Sequence, residues 1–129
     1  MRFVNPIAFV SDIHVSTAFY RDVLGLGVEA DYGTIVIFEG HFAIHAAAAL
    51  IRTVWGADAQ IEAGSYGRRN LLLYFEDDDV DACFARLREH VELIHPLMKQ
   101  SWGQRVFRFY DPDCHAVEVG EPLAKVQSG

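Results

Sequence analysis

Two residues could do chemistry from within a strand: Glu118, in the apolar run Ala116-Val117-Glu118-Val119, and His45, in Phe42-Ala43-Ile44-His45-Ala46. A carboxylate among apolar neighbours must find a compensating partner, because an unpaired one either costs several kcal/mol or stays protonated. Three partners are open to Glu118: a divalent metal shared with His45, an ion pair with Arg105, or a ligand met in a pocket. His45 itself reads either as a metal ligand or as a hydrogen-bonded histidine of the core. Tyr74 can offer a hydroxyl to a ligand or satisfy it internally. Trp102 and Arg105 flank Gly103, where they either form a rim that stacks on or pairs with an anionic ligand, or anchor the loop through an internal salt bridge.

The remaining polar residues point elsewhere. Glu76-Asp77-Asp78-Asp79 has the composition of a metal cluster, but it precedes a helix N-terminus, where negative charge is favourable and solvated. His14 falls in a first helical turn, His41 in a hairpin turn, and His90 near a helix C-terminus; His95 lines a rim or the surface, and His115 is structural. The chain has no nucleophile elbow, P-loop, dinucleotide fingerprint or His-Glu-x-x-His helix.

The elements that must position these residues follow from periodicity. Residues 3–10 have strand composition, and Asp12 caps a helix whose Val15, Ala18, Phe19 and Val23 repeat at helical spacing until Gly25. Three strands follow at 28–32, 34–39 and 42–47, the last two joined by a two-residue turn, Gly40-His41. Residues 71–76 form a further strand, and Asp79 caps a helix carrying Val80, Cys83, Phe84 and Leu87 at i, i+3, i+4 and i+7. Strands at 91–97, 105–110 and 116–119 complete a second set, the last pair joined through Asp111-Pro112-Asp113-Cys114. The order strand, helix, three strands therefore occurs twice, which predicts an α+β fold of two βαβββ modules. Module 1 spans about 1–47 and module 2 about 70–123. They are joined by an irregular linker at 48–69 with a short helix near Leu50, in which Trp55 and Tyr66 could serve as anchors.

Strand alternation then assigns faces. A two-residue turn at Gly40-His41 places Val36 opposite His45, on a face with Phe38 and Ala43. A four-residue turn at 111–114 places Phe107 opposite Glu118, on a face with Arg105, Phe109 and Ala116.

Composition bounds the rest. The chain has 129 residues, 51% of them hydrophobic, enough for one ordinary domain over 1–129. A formal net charge of -7 argues against nucleic acid and anionic membrane surfaces as partners. Without a signal-like N-terminus or a bilayer-length apolar run, the expected location is the cytoplasm, with Cys83 and Cys114 as free thiols.

Two segments resemble the vicinal oxygen chelate superfamily, which includes glyoxalase I, bleomycin-resistance proteins and extradiol dioxygenases. The first is Ser11-Asp12 leading to Ala18-Phe19-Tyr20-Arg21-Asp22-Val23-Leu24-Gly25-Leu26. The second is Trp102-Gly103-Gln104-Arg105 leading to Asp111-Pro112-Asp113-Cys114-His115-Ala116-Val117-Glu118. The resemblance implies that the curved mixed sheets of the two modules form a cup around a small molecule, with helices outside. In metal-dependent members it implies four ligands, whose positions here are Asn5, His45, Leu72 and Glu118. Leu72 cannot bind a metal and Asn5 is a poor ligand, so no metal or other cofactor is favoured; an ion, if present, would rest on His45 and Glu118.

The expectation is a small-molecule-binding protein of this type. Asn5, His45, Leu72, Tyr74, Trp102, Arg105, Phe107, Phe109 and Glu118 would line the site, and homodimerisation is expected. Whether a reaction is catalysed stays open. The alternative is a divalent-metal lyase, isomerase or dioxygenase in which Glu118 and His45 hold the ion and Glu118 is the catalytic carboxylate. A filled cup serving only as an interaction module is a third reading.

Overall fold

The computed structural model describes the backbone of residues 1–128 and the side chains of residues 1–126. The chain divides into two compact units, Met1–Tyr66 and Gly67–Gly129. Each unit holds a four-stranded mixed sheet built on the same plan.

In the first unit, β1 (Ile7–Val10), α1 (Ile13–Ala18), β2 (Val28–Asp31), β3 (Ile35–Phe38) and β4 (Phe42–Ala46) follow one another, and α2 (Ala47–Trp55) comes next. The sheet order is β1-β4-β3-β2, with β1 parallel to β4 and the other pairs antiparallel. In the second unit, β5 (Leu72–Glu76), α3 (Val80–Leu87), β6 (Glu92–Lys99), β7 (Arg105–Tyr110), β8 (Ala116–Gly120) and α4 (Leu123–Ser128) give the order β5-β8-β7-β6. The fold is therefore α+β, made of two βαβββ modules.

The two caps fix where each crossover helix starts. The Asp12 carboxylate accepts from the backbone N–H groups of His14 and Val15 at 3.0 and 3.1 Å, and that of Asp79 accepts from Ala82 at 3.0 Å. After Ala18 the first helix widens into a π turn over Phe19–Val23, in which the Leu24 N–H reaches the Phe19 carbonyl. Gly25, at φ 82°, then ends it, as its left-handed conformation requires. The π turn sends Tyr20 fully into the core against Phe38 and Phe42.

Both hairpins depart from the expected register, each by one residue. Phe38 pairs with Phe42, leaving a three-residue loop, Glu39-Gly40-His41, in which Gly40 and His41 both have positive φ. His45 consequently pairs with Ile35 instead of Val36. It shares its face with Ile37 and Ala43, while Val36, Phe38 and Ile44 turn toward α1.

In the second hairpin the loop is only Pro112-Asp113-Cys114. The Cys114 N–H bonds the Asp111 carbonyl, the Asp111 N–H bonds the His115 carbonyl, and Cys114 takes the left-handed conformation at φ 63°. Because side chains alternate with a period of two, shortening the loop by one residue moves every side chain on one strand to the other face. Arg108, not Phe107, therefore stands opposite Glu118. Phe107 and Phe109 pack fully buried on the helix side, where Phe107 meets Phe84 of α3 at a ring distance of 5.1 Å.

Other boundaries shift for local reasons. Strand β1 begins at Ile7, not at residue 3, because Pro6 has no N–H to pair and Phe3 and Val4 are exposed. Strand β6 tolerates Pro96 because it is the sheet edge, with register shifts on both sides of His95. Helix α4 had no counterpart in the sequence reading.

Candidate functional site

The face of the second sheet that points away from α3 carries the most chemistry. Leu72, Tyr74 and Glu76 of β5, Ala116 and Glu118 of β8, and Arg108 and Tyr110 of β7 alternate onto it, as their pairing shows. Glu118 is 5% exposed, and its Oε1 accepts from Arg108 Nε at 2.6 Å. The carboxylate thus has a guanidinium as its compensating charge; of the three partners left open it is an ion pair, made with Arg108 and not with Arg105.

Arg108 Nη1 also lies 2.9 Å from His95 Nε2 and donates to Gln100 Oε1 at 3.2 Å. A guanidinium only donates, so His95 Nε2 is the acceptor and His95 carries its proton on Nδ1, which donates to the Pro96 carbonyl at 2.8 Å. Four side chains from β6, β7, β8 and the loop after β6 are locked together in this way.

A second polar chain runs at the other end of the same face. Trp102 Nε1 donates to Gln104 Oε1, Gln104 Nε2 donates to the Tyr74 hydroxyl, and that hydroxyl donates to Glu76 Oε2 at 2.6 Å. Partial burial and the neighbouring Glu76 carboxylate push the Tyr74 hydroxyl above its ordinary value, while the Gln104 bond opposes them. Glu76 is held below its usual range by the Tyr74 hydroxyl and then by the Leu123 N–H. The Trp102 Nε1–H and the Tyr74 proton are therefore both engaged, while the Trp102 ring stays exposed. Gly120 permits this arrangement, since a Cβ there would meet Gln104 Nε2.

Toward the loop end of the face lies a recess of about 620 Å³. Its lining includes Arg68, Arg69, Leu72, Ile94, Tyr110 and Ala116. One wall is the segment entering β5 and the other is the 112–114 loop with His115, whose ring is held by Asp111 at 2.8 Å. Gly67 clamps the two walls: its N–H bonds the Asp113 carbonyl at 2.8 Å, and a Cβ would collide with the Cys114 carbonyl.

The expected residues are thus dispersed. Leu72, Tyr74 and Glu118 share this face. Arg105 lies on the helix side, where Nη1 and Nη2 bond the two Asp81 oxygens at 2.9 Å each and Nη2 also reaches Glu121. Phe107 and Phe109 belong to the core between sheet and helix. Asn5 precedes β1 and donates to the Pro6 carbonyl. His45, in the first unit, is half-buried with Nδ1 at 2.9 Å from the Ala46 carbonyl.

Arg108, Gln100 and the recess arginines are what the sequence reading missed, and His95, expected at a rim or the surface, is the histidine that holds Arg108. An Asp-Pro-Asp turn counted with a left-handed fourth residue would have placed Arg108 opposite Glu118.

The four positions that the resemblance assigns to a metal do not fit one. Leu72 offers only hydrocarbon, Asn5 lies outside the strand, and Glu118 already neutralises Arg108. Among the described residues no three His, Cys, Asp or Glu side chains cluster as ligands for a metal ion.

Residues 3–124 match the model of a family described as a glyoxalase-like domain. The chain belongs to the glyoxalase-like domain family. Solved structures share the fold of this glyoxalase-like domain. A protein of unknown function from Agrobacterium tumefaciens str. C58 is 60% identical, with a TM-score of 0.88 over 95% of this chain and 94% of that one. A lactoylglutathione lyase from Agrobacterium tumefaciens is 24% identical, with a TM-score of 0.70 and 95% of each chain covered. A glyoxalase/bleomycin resistance protein/dioxygenase from Nocardioides is 22% identical, with a TM-score of 0.70 over 94% of this chain and 83% of that one. At such identities the last two share the fold. No curated protein matches the chain.

Proposed function

We propose that this glyoxalase-like domain binds a small, partly apolar molecule on the Glu118 face of its second sheet, without a four-ligand metal centre. The observation that carries the reading is the Arg108–Glu118 pair: the carboxylate best placed to hold an ion is buried and engaged, beside a recess of ligand size. Leu72, Tyr74, Ile94 and Met98, each between 42% and 48% exposed, supply apolar surface around it.

That surface also supports pairing as a homodimer, and the free thiols of Cys83 and Cys114 are at home in the cytoplasm. No described helix is long and apolar enough to cross a membrane.

The test is thermal denaturation against a panel of small aromatic molecules. A ligand that binds only the folded state adds about 2.7 kcal/mol at a hundredfold excess over its Kd. Wild type should be stabilised by at least one compound and Leu72→Arg, which crowds and charges the face, should not. Equal stabilisation of both proteins, or of neither, contradicts the reading.

A further inference from the structure

We infer that the recess beside Leu72 selects an anion: a small molecule with a flat apolar body and one carboxylate, the carboxylate meeting Arg69. This deepens the small-molecule reading above and rests on it.

The lining residues divide by chemistry. Leu71, Leu72, Ile94 and Ala116, with the ring of Tyr110, make an apolar floor, and Arg68 and Arg69 stand at one side. Among the described residues no carboxylate lines the recess, although acidic residues outnumber basic ones by 18 to 11 in the chain. A local excess of positive charge in an acidic protein is a feature of that place, not of the composition.

Arg68 is partly spoken for, with Nη1 on the Gly67 carbonyl. Arg69 has no hydrogen bond or ion pair among the described residues. A planar guanidinium in that state matches a carboxylate with two parallel N–H donors.

Backbone strain gathers at the same place. Only three described residues other than glycine have positive φ: His41 in the first hairpin, Arg69 at 57° and Cys114 at 63°. The last two line the recess on opposite walls. Such strain persists where surrounding structure enforces it, and it concentrates at ligand sites. Here the Gly67 clamp enforces it, so the recess is formed before any ligand arrives. A preformed site loses little affinity to ordering.

The experiment uses the full chain and a matched pair of probes, 2-naphthoate and its uncharged analogue 2-naphthamide, titrated by calorimetry and by backbone amide shifts. Naphthoate should bind saturably at one per chain, at least about tenfold tighter than naphthamide, since a hydrogen bond to a charged group contributes that much or more. Arg69→Gly, which suits the left-handed backbone and removes the charge, should abolish that preference, while Arg69→Lys keeps part of it. Ala116→Phe, which fills the floor, should weaken both probes. Shifts should centre on residues 68–72 and 114–116.

Equal affinity for the two probes, or a preference unchanged in Arg69→Gly, overturns the anion assignment. Where naphthamide still binds and shifts Tyr74 and Glu118, the broader reading survives and this one falls. If neither probe binds saturably, the anion site is refuted, and the aromatic panel decides the broader reading separately.

Discussion

Replacing Arg108 by Met removes the partner of a carboxylate whose side chain is only 6% exposed, whereas Arg108 itself is 23% exposed. The two halves of the pair should therefore respond unequally. Glu118 has little water to turn to, and breaking a buried pair from one side costs about 3 to 5 kcal/mol because the remaining charge is stranded. Arg108 is closer to solvent and keeps His95 and Gln100 as acceptors, so Glu118→Gln, which still accepts one bond, should cost about 1 kcal/mol.

The lower end of the first range, about 3 kcal/mol, is the expected cost of Arg108→Met, because the guanidinium is not fully dry. For a chain of this length that corresponds to roughly 10 °C in melting temperature. The double substitution Arg108→Met/Glu118→Leu removes both charges and should cost about 2 kcal/mol, against about 4 kcal/mol for Arg108→Met and Glu118→Leu (about 1 kcal/mol) added separately, a coupling energy of about 2 kcal/mol in the double-mutant cycle. Urea unfolding of the four proteins measures it. A cost below about 1 kcal/mol for Arg108→Met, or additive losses in the double variant, would falsify the claim that the ion pair compensates a buried carboxylate.

Three further outcomes are expected. Cys114 is exposed and should react with a thiol reagent in the folded state; Cys83 is buried, with its thiol pushed up by desolvation first, and should react only as fast as the protein opens, so two equally fast thiols would contradict the packing of α3. Glu76 is held below its ordinary value of 4.5 by the Tyr74 hydroxyl, so its contribution to stability is complete above that pH and fades as pH falls through the lowered folded value. Glu76→Gln should accordingly melt below wild type at neutral pH and approach it in acid, and a gap that widens in acid would reverse the sign. Ser16, fully buried on α1 with no partner for its hydroxyl among the described residues, should be replaceable by Ala with a gain of about 1 kcal/mol, and a loss of that size would reveal a bond that the hydroxyl makes.

Element order was legible because the two helix caps, Asp12 and Asp79, and the alternating strands are local signals. What was not legible was register. The faces depended on loop length, and loop length depended on whether His41 and Cys114 would accept a left-handed backbone, a cost of about 1 kcal/mol that composition cannot reveal. One residue in the second hairpin moved Arg105, Phe107 and Phe109 from the expected site into the helix-facing side and brought Arg108 to Glu118.

The Tyr74–Gln104–Trp102 chain was hidden for another reason. Its members are separated by up to thirty residues in sequence, and the pairing of β8 with both β5 and β7 brings them together. The recess likewise depends on Gly67 meeting the 112–114 loop, a contact between distant segments.

The most direct test of the Glu118 assignment is elemental analysis of purified protein together with melting curves before and after chelation. A carboxylate whose partner is Arg108 predicts less than a tenth of an equivalent of divalent metal, on the order of trace carry-over, and an unchanged melting temperature. One equivalent of metal per chain, lost to chelator with a fall in melting temperature and absent from Glu118→Gln, would contradict the account and restore the metal-dependent reading.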